Sequence, residues 1–164
     1  MSLRSIVFVA VLLAPAAASA QPSVTFYGAP TSAISSGVVI PANRAWVWTS
    51  GTTPAVADAN AKAGTRERFG DTRAQATSIL KNIDGQLQKQ GLTMKDVVYL
   101  RAYLVPDPTK GNRIDMDGWS AAYGEVFGTT ANATKPARST VGVSALVNAD
   151  WLIEIEAFAV MPGK

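Results

Sequence analysis

The sequence of 164 residues contains neither cysteine nor histidine. These absences exclude disulfides, thiolate nucleophiles, zinc sites built from Cys and His, Ser-His-Asp triads and proton transfer by imidazole. Any chemistry that the chain performs must therefore use carboxylates, arginine, lysine, tyrosine, hydroxyl groups or the backbone.

Charged residues are also scarce, at 16% of the chain against 48% hydrophobic residues. The 15 Lys and Arg against 12 Asp and Glu leave a formal net charge of +3, and they are scattered along the sequence. Proteins that neutralise phosphates gather their basic residues into a patch or stripe, so we expect no nucleic-acid partner. The hydrophobic fraction is high enough for a folded core, and the length suits one domain.

The first twenty residues have the pattern of a secretory signal peptide. Arg4 is followed by an apolar run at 6–13 and by Ala18-Ser19-Ala20, an A-x-A cleavage site. The run is far shorter than the ~20 apolar residues of a membrane-spanning helix. We expect a signal peptide at 1–20 and a single domain at 21–164, periplasmic or secreted, with no membrane attachment after cleavage.

Hydrophobic periodicity predicts two helices. Thr72 to Gln75 (TRAQ) have the form of a capping box, and apolar residues recur behind them at helical spacing up to a stop at Gly91. A second helix is predicted from Asp115 to Gly128. Its apolar stripe consists of Met116, Trp119, Tyr123, Val126 and Phe127.

Three longer runs, at 97–105, 138–146 and 151–160, alternate with the period of a β-strand. In each run one set of alternating residues is apolar, and we expect the two helices to cover that face. The apolar sets are Val98, Leu100, Ala102 and Leu104; Val141, Val143 and Ala145; and Trp151, Ile153, Ile155, Ala157 and Ala159. With short β-prone runs nearer the N-terminus, the predicted fold class is α+β, a mixed sheet with two helices packed on one face.

The opposite set of residues in these runs predicts an uncovered sheet face with both polar and apolar parts. Its polar residues are Arg138, Thr140, Glu154 and Glu156. Its apolar residues are Tyr99, Tyr103, Leu152 and Phe158. Because a monomer rarely leaves such an apolar strip in water, we expect a partner subunit to cover it.

Two motifs resemble the signature of a known family. Pro136-Ala137-Arg138-Ser139 precedes a predicted strand, and Ile153-Glu154-Ile155-Glu156-Ala157 lies near the C-terminus. Together they resemble the Rid proteins, the reactive intermediate deaminases also called the YjgF-like family. Thr49-Ser50-Gly51 resembles the Ser-Gly turn of that family, and Asn82 lies where its first helix carries Asn. The resemblance covers almost the whole predicted domain.

The resemblance implies a chorismate-mutase-like fold that assembles as a homotrimer with sites at subunit interfaces. It also implies hydrolysis of 2-imino acids, small carboxylate substrates, to 2-oxo acids and ammonia without metal or cofactor, as in 2-iminobutanoate/2-iminopropanoate deaminases. By position, Arg138 is expected to bind the substrate carboxylate and Glu154 to activate water. Thr140 and the backbone of Gly51 are expected to contact substrate, whereas Glu156 is expected to be structural.

Two positions differ from the best-known members of the family. Thr140 stands where those proteins commonly have Cys, and Gly37 stands where a pocket Tyr is usual. Tyr27, Trp46 and Trp48 are candidates to refill the pocket.

Two alternatives stay open from the sequence. Arg138 would be structural if it paired with Glu154 or Glu156 across neighbouring strands. The chain would be a trimeric binding protein for 2-oxo acids or similar carboxylates if the changes at Thr140 and Gly37 abolish efficient hydrolysis.

We predict export with cleavage between Ala20 and Gln21. Mass spectrometry of protein from the periplasm or medium should give a chain that begins at Gln21, because signal peptidase cuts after the A-x-A pattern. Replacing Ala18 and Ala20 by Lys should leave the leader attached. Recovery of the parent chain at full length from the cytoplasm would contradict the prediction.

Overall fold

The computed structural model describes residues 23–163, so the predicted signal peptide lies outside the described residues. Its strands are β1 (Thr25–Tyr27), β2 (Gly37–Val39), β3 (Trp46–Trp48), β4 (Val97–Leu104), β5 (Ala137–Gly142) and β6 (Ile153–Val160). Its α-helices are α1 (Thr72–Gln88) and α2 (Met116–Val126). The predicted helices and strands are all present, although β5 ends four residues earlier than the pattern indicates.

The strands form two sheets. β1 and β2 pair as an antiparallel hairpin, and the other four strands lie in the order β3-β6-β4-β5. β4 and β5 run parallel, whereas β6 is antiparallel to both β3 and β4, so the larger sheet is mixed as predicted. A parallel bridge between Ser35 and Ala137 joins the segment before β2 to β5.

Both helices pack on one face of the four-stranded sheet. Their buried hydrophobic side chains are Ala76, Ile79, Leu80, Ile83 and Leu87 on α1, and Trp119, Ala122 and Tyr123 on α2. They form one hydrophobic core with Leu100, Ala102, Leu104, Ile153, Ile155, Ala157 and Ala159 of the sheet. Removal of this apolar surface from water is the main stabilising contribution to the fold. Neither helix in residues 23–163 is long and apolar enough to cross a membrane.

The start of α1 differs from the predicted capping box. The N-cap is Asp71, whose carboxylate accepts a backbone N–H of the first turn. Gln75 is instead fully buried, and its amide donates to the carbonyls of Gly70 and Asp150. Its side-chain oxygen accepts the N–H of Leu152. Gln75 therefore connects the start of α1 to the segment that leads into β6.

The predicted alternation is confirmed for most of β4 and β6. The residues on the uncovered face are Tyr99, Arg101 and Tyr103 of β4 and Glu154, Glu156 and Phe158 of β6. The pattern shifts at the start of β4, where an irregularity between Val97 and Tyr99 places Val97 in the core.

The predicted face assignment of β5 is wrong. Arg138 lies beside Leu100 in the parallel register with β4, and partners in neighbouring strands share a face. In the same register Thr140 lies beside Ala102. Both β4 residues point into the core, so Arg138 and Thr140 lie on the helix-bearing face. Val141, predicted to face the core, is 44% exposed. The pattern misleads because β5 is an edge strand whose inner face meets aromatic rings that accommodate a cation.

The uncovered face carries an aromatic surface. On β3, Trp46 and Trp48 are 63% and 61% exposed, and the ring of Trp48 lies 4.3 Å from that of Phe158. Tyr99 meets Phe158 edge-on at 5.3 Å. Leu152, predicted to belong to this face, precedes β6 and is buried. The remaining apolar surface is still large for a chain alone in water.

Candidate functional site

Arg138 lies between β5 and α2, against two aromatic rings. Its guanidinium carbon is 4.6 Å from the ring centre of Tyr123 and 5.2 Å from that of Trp119. The two rings are four residues apart on α2 and therefore lie on the same side of the helix. The ring quadrupoles stabilise a cation held over them, so α2 forms an aromatic seat, Trp119 and Tyr123, for this side chain.

The charge of Arg138 has no carboxylate partner within residues 23–163. Its Nη1 atom is buried there without a hydrogen-bond acceptor. Burial lowers the pKa of Arg138, against a smaller opposing effect of Tyr123, although an arginine keeps its proton at physiological pH. Pairing with Glu154 or Glu156, the structural alternative, is not found in this chain. The unused donors are suited to an anionic ligand.

Thr140 lies two residues further along β5 on the same face. The indole Nε1 of Trp119 donates a hydrogen bond of 3.2 Å to its Oγ1. Arg138 and Thr140, both predicted site residues, therefore lie side by side, and Trp119 of α2 contacts both.

Glu154 lies on the other face of the sheet, with its carboxylate packed against the backbone of Gly51. A Cβ atom at residue 51 would overlap Oε1 of Glu154, so glycine is the residue that permits this close approach. Two backbone hydrogen bonds between Thr52 and Ile155, of 2.8 and 3.1 Å, hold the turn in place. The structure thus brings together Gly51 and Glu154, two residues that were predicted separately as site residues.

The environment of Glu154 favours its protonated form. Burial raises the pKa of Glu154, and the negative charge of Glu156 raises it further. No hydrogen bond to the Glu154 carboxylate opposes this effect within residues 23–163. A carboxyl group whose pKa lies closer to neutrality is better suited to exchange a proton with water.

Glu156, on the same face, is held by partners of its own. Arg101 Nη1 lies 3.2 Å from one carboxylate oxygen, and the hydroxyl of Tyr103 donates to the other at 3.3 Å. Arg101 also lies 5.9 Å and 6.0 Å from the ring centres of Tyr99 and Phe158. These contacts support the expected structural role of Glu156.

Two open clefts flank the Gly51 turn. One, of about 420 Å³, is lined by Trp48, Thr49, Ser50, Gly51 and Glu156. The other, of about 490 Å³, is lined by Ser50, Gly51, Thr52, Thr53, Asn82 and Gln86, so Asn82 borders the turn from α1. A cleft of about 550 Å³ near the start of α2 contains none of the predicted site residues.

Tyr27 fills the space that Gly37 leaves. The two residues are partners across the β1–β2 hairpin, and a Cβ atom at residue 37 would overlap the hydroxyl of Tyr27. Trp48 instead borders the Gly51 turn, so Tyr27 is the candidate that occupies the vacant position.

One chain does not bring all four predicted site residues into a single pocket. Arg138 and Thr140 lie under α2, whereas Glu154 and Gly51 lie on the opposite side of the sheet. No group of three or more Asp or Glu side chains in residues 23–163 is placed to hold a metal ion. The chemistry available is therefore carboxylate binding on one face and proton transfer on the other.

The aromatic seat of Arg138 was not predicted. Helical spacing indicates that Trp119 and Tyr123 belong to the core, and both are indeed buried. The only sequence signal for the additional contact is two aromatic residues four apart in the helix preceding Arg138. Nothing in that pattern indicates which strand lies beneath them.

The family model described as Endoribonuclease L-PSP matches residues 29–161. A RutC family protein of Pyrococcus horikoshii is 38% identical over 92 residues, which are 55% of this chain and 63% of that protein. The matched part is thus less than two thirds of that relative's length.

Two solved structures extend the comparison. A Rid-family protein of unknown function, YyfB of Yersinia pestis, is similar with a TM-score of 0.62 and 26% identity, over 84% of this chain and 98% of that one. The YjgF gene product of Escherichia coli gives a TM-score of 0.55 and 31% identity, over 75% and 85% of the two chains. The chain therefore has the YjgF/Rid fold, as the sequence motifs predicted.

The pKa of Glu154 should lie above the ordinary value of 4.5. Glu156→Gln should lower it, because the substitution removes the neighbouring negative charge and leaves the burial in place. NMR titration of the side-chain carboxyl carbons measures both values.

Glu125→Gln, which changes an exposed carboxylate on α2, is the control and should leave the pKa of Glu154 unchanged. A raised pKa means that the folded chain binds this proton more tightly than the unfolded chain does. The contribution of the bound proton to the free energy of unfolding is therefore present at low pH and is lost as pH rises through the folded-state pKa. Glu154→Gln should therefore stabilise the chain relative to the parent at neutral pH. An ordinary pKa for Glu154 would contradict the prediction.

Proposed function

Since the chain belongs to the Endoribonuclease L-PSP family, which includes the YjgF/Rid proteins, we propose that it is an exported enamine/imine deaminase. Its substrates are reactive 2-imino acids, and its products are the corresponding 2-oxo acids and ammonia. It acts as a homotrimer without metal or cofactor.

The unpaired guanidinium of Arg138 is the observation that carries this proposal. A half-buried cation without an acceptor is costly unless a ligand completes its hydrogen bonds. A substrate carboxylate presents two oxygens that match the parallel donors of arginine. The aromatic seat fixes where those donors lie, so the ligand carboxylate orients the rest of a small 2-imino acid.

Glu154 has the properties that imine hydrolysis requires of a general base and acid. Glu154 takes a proton from water as the water oxygen bonds to the imine carbon, and it gives that proton to the nitrogen as the C=N π bond breaks. In the resulting carbinolamine the same carboxylate takes the O–H proton and gives it to the amino nitrogen. The C–N bond then breaks, ammonia leaves, and the carbonyl of the 2-oxo acid forms. Burial and the charge of Glu156 raise the pKa of Glu154 toward neutrality, which favours its action as both base and acid.

The opposite positions of Arg138 and Glu154 support a site shared between copies. In the proposed assembly, the β5 edge of the sheet, which carries Arg138 and Thr140 in one copy, meets Glu154 and Gly51 of the next. Three copies can repeat this head-to-tail contact between two different surfaces and close into a ring. The exposed aromatic surface that contains Trp48 and Phe158 is the apolar area available for such contacts.

A trimeric binding protein for small carboxylates is the second candidate function. It shares the Arg138 site with the deaminase. The observation that favours it is the hydroxyl of Thr140 where the best-known deaminases commonly carry a thiol.

The parent chain should form a homotrimer, and Trp48→Glu should weaken it. The substitution places a charge on the exposed aromatic surface, where burial against a second copy becomes costly. Light scattering at micromolar concentration should give three times the mass of one chain for the parent and a lower mass for the variant.

Val56→Glu is the matched control, because Val56 is also exposed but follows Ala55, which is hydrogen-bonded to α1 on the other side of the sheet. It should leave the trimer intact. A monomeric parent chain would contradict the proposed assembly.

Substitutions at Arg138 and Glu154 should separate ligand binding from turnover. Arg138→Lys should weaken binding of 2-oxobutanoate about tenfold or more, because an ammonium cannot make the paired hydrogen bonds, each worth roughly 1.5–3 kcal/mol. Glu154→Gln should reduce hydrolysis of freshly generated 2-iminobutanoate by about 10²–10⁴-fold with little change in affinity. Calorimetry and ammonia release measure the two effects.

Arg73→Lys and Glu125→Gln are the matched controls, because these residues form an exposed ion pair between α1 and α2. Ligand binding without hydrolysis in the parent would support the binding protein instead. Unchanged affinity in Arg138→Lys would contradict both functions. Cleavage of RNA that depends on Arg138 would replace the proposal with a nuclease activity.

A further inference from the structure

Trp119 contributes more to the Arg138 region than an apolar ring. Its side chain is fully buried and meets Tyr123 edge-on at 5.8 Å, contacts that a phenylalanine would also make. The indole adds an N–H group, which needs an acceptor in this buried position. Thr140 Oγ1, at 3.2 Å, is that acceptor.

This hydrogen bond has only one possible direction. An indole N–H donates and cannot accept, so Thr140 Oγ1 must be the acceptor. A hydroxyl retains its own O–H as a donor, and no other partner of Thr140 Oγ1 is found within residues 23–163. The contact with Trp119 therefore leaves Thr140 with a free donor.

The free donor of Thr140 lies next to the unused donors of Arg138. The two residues are two apart on β5, which separates their Cα atoms by about 6.6 Å on one face of the strand. The long arginine side chain and the short threonine side chain thus present donors to a common region. Both are oriented by contacts with Trp119, one through the ring face and one through the indole N–H.

We infer that Trp119 is a positioning residue that acts through Thr140. Its N–H occupies one lone pair of the Thr140 hydroxyl and turns the O–H toward the ligand carboxylate that Arg138 binds. Arg138 and the oriented O–H then present donors to the ligand. This favours a carboxylate, whose two oxygens only accept, over an amide or alcohol, which bring donors of their own. This inference rests on the proposed role of Arg138 in binding a carboxylate.

A double-substitution cycle tests the inference. Trp119→Phe removes the N–H and keeps an aromatic ring, and Thr140→Val removes the hydroxyl with little change of shape. Each should weaken 2-oxobutanoate binding by about three- to tenfold, the range for a single hydrogen bond. If Trp119 acts through Thr140, the double variant should be no weaker than Thr140→Val alone.

Trp151→Phe is the matched control for loss of an indole N–H. Trp151 packs edge-on against Phe69 at 6.4 Å, and its Nε1 has no hydrogen-bond partner within residues 23–163. The substitution should leave affinity unchanged. The thermal unfolding temperature of every variant is compared with that of the parent chain, so that a loss of affinity caused by a damaged fold is recognised.

Steady-state kinetics distinguish a positioning role of Trp119 from a merely structural one. Because the carboxylate is bound equally in the ground state and the transition state, Trp119→Phe and Thr140→Val should raise KM with little change in kcat.

Independent, additive losses of affinity, or no loss in Trp119→Phe, would overturn the inference and leave the deaminase proposal intact. The expected coupling in a parent chain that hydrolyses no imino acid would support the inference and overturn the deaminase. A parent chain that neither binds 2-oxobutanoate nor hydrolyses imino acids would overturn both.

Discussion

The parallel pairing of β4 with β5 is the constraint on which the candidate site depends. It places Arg138 beside Leu100, so a charged side chain points toward α2 instead of toward water. A full charge among aliphatic side chains would be costly, but α2 meets it with aromatic rings and leaves the residue partly exposed. A shift of one residue would put Ser139 there and move every β5 side chain to the other face. Arg138 and Thr140 therefore present their hydrogen-bond donors beneath α2 only in this register.

The sheet also keeps apart the two charged residues that the proposed reaction uses, Arg138 and Glu154. Arg101 and Glu156 share the uncovered face at neighbouring positions of β4 and β6, and they pair. Arg138 and Glu154 lie on opposite faces, so neither neutralises the other within one chain. Each therefore retains the property that the proposed reaction needs, unused donors in one case and a proton held more tightly in the other. Strand position thus decides that one arginine and one glutamate form an ion pair, whereas the other arginine and glutamate stay apart.

Sequence periodicity predicts those helices and strands that bury one face in the hydrophobic core and expose the other. It is correct for both helices and for β4 from Tyr99 onward and most of β6, because apolar residues there alternate against the helices. It is wrong for β5, since an edge strand can leave Val141 in water and turn an arginine inward when aromatic rings receive it. Composition also cannot show close approaches between distant segments. The contact of Gly51 with Glu154 and the hydrogen bond from Trp119 to Thr140 depend on tertiary packing, so the motifs identify the residues and the fold decides their grouping.

Assembly through the aromatic face would act on Glu154 as well as on the exposed tryptophans. Glu154 lies on that face, and burial is already the main cause of its raised pKa. A second copy placed over it removes more water and favours the protonated form further, unless the copy brings a cation close to the carboxylate. In the proposed site that cation is Arg138 of the next copy, whose own charge is engaged by the substrate carboxylate. In that proposed site, a bound substrate carboxylate would complete the hydrogen bonds of the arginine and weaken its hold on the ionised form of Glu154. The proposed assembly therefore couples the proton affinity of Glu154 to whether the neighbouring arginine is occupied.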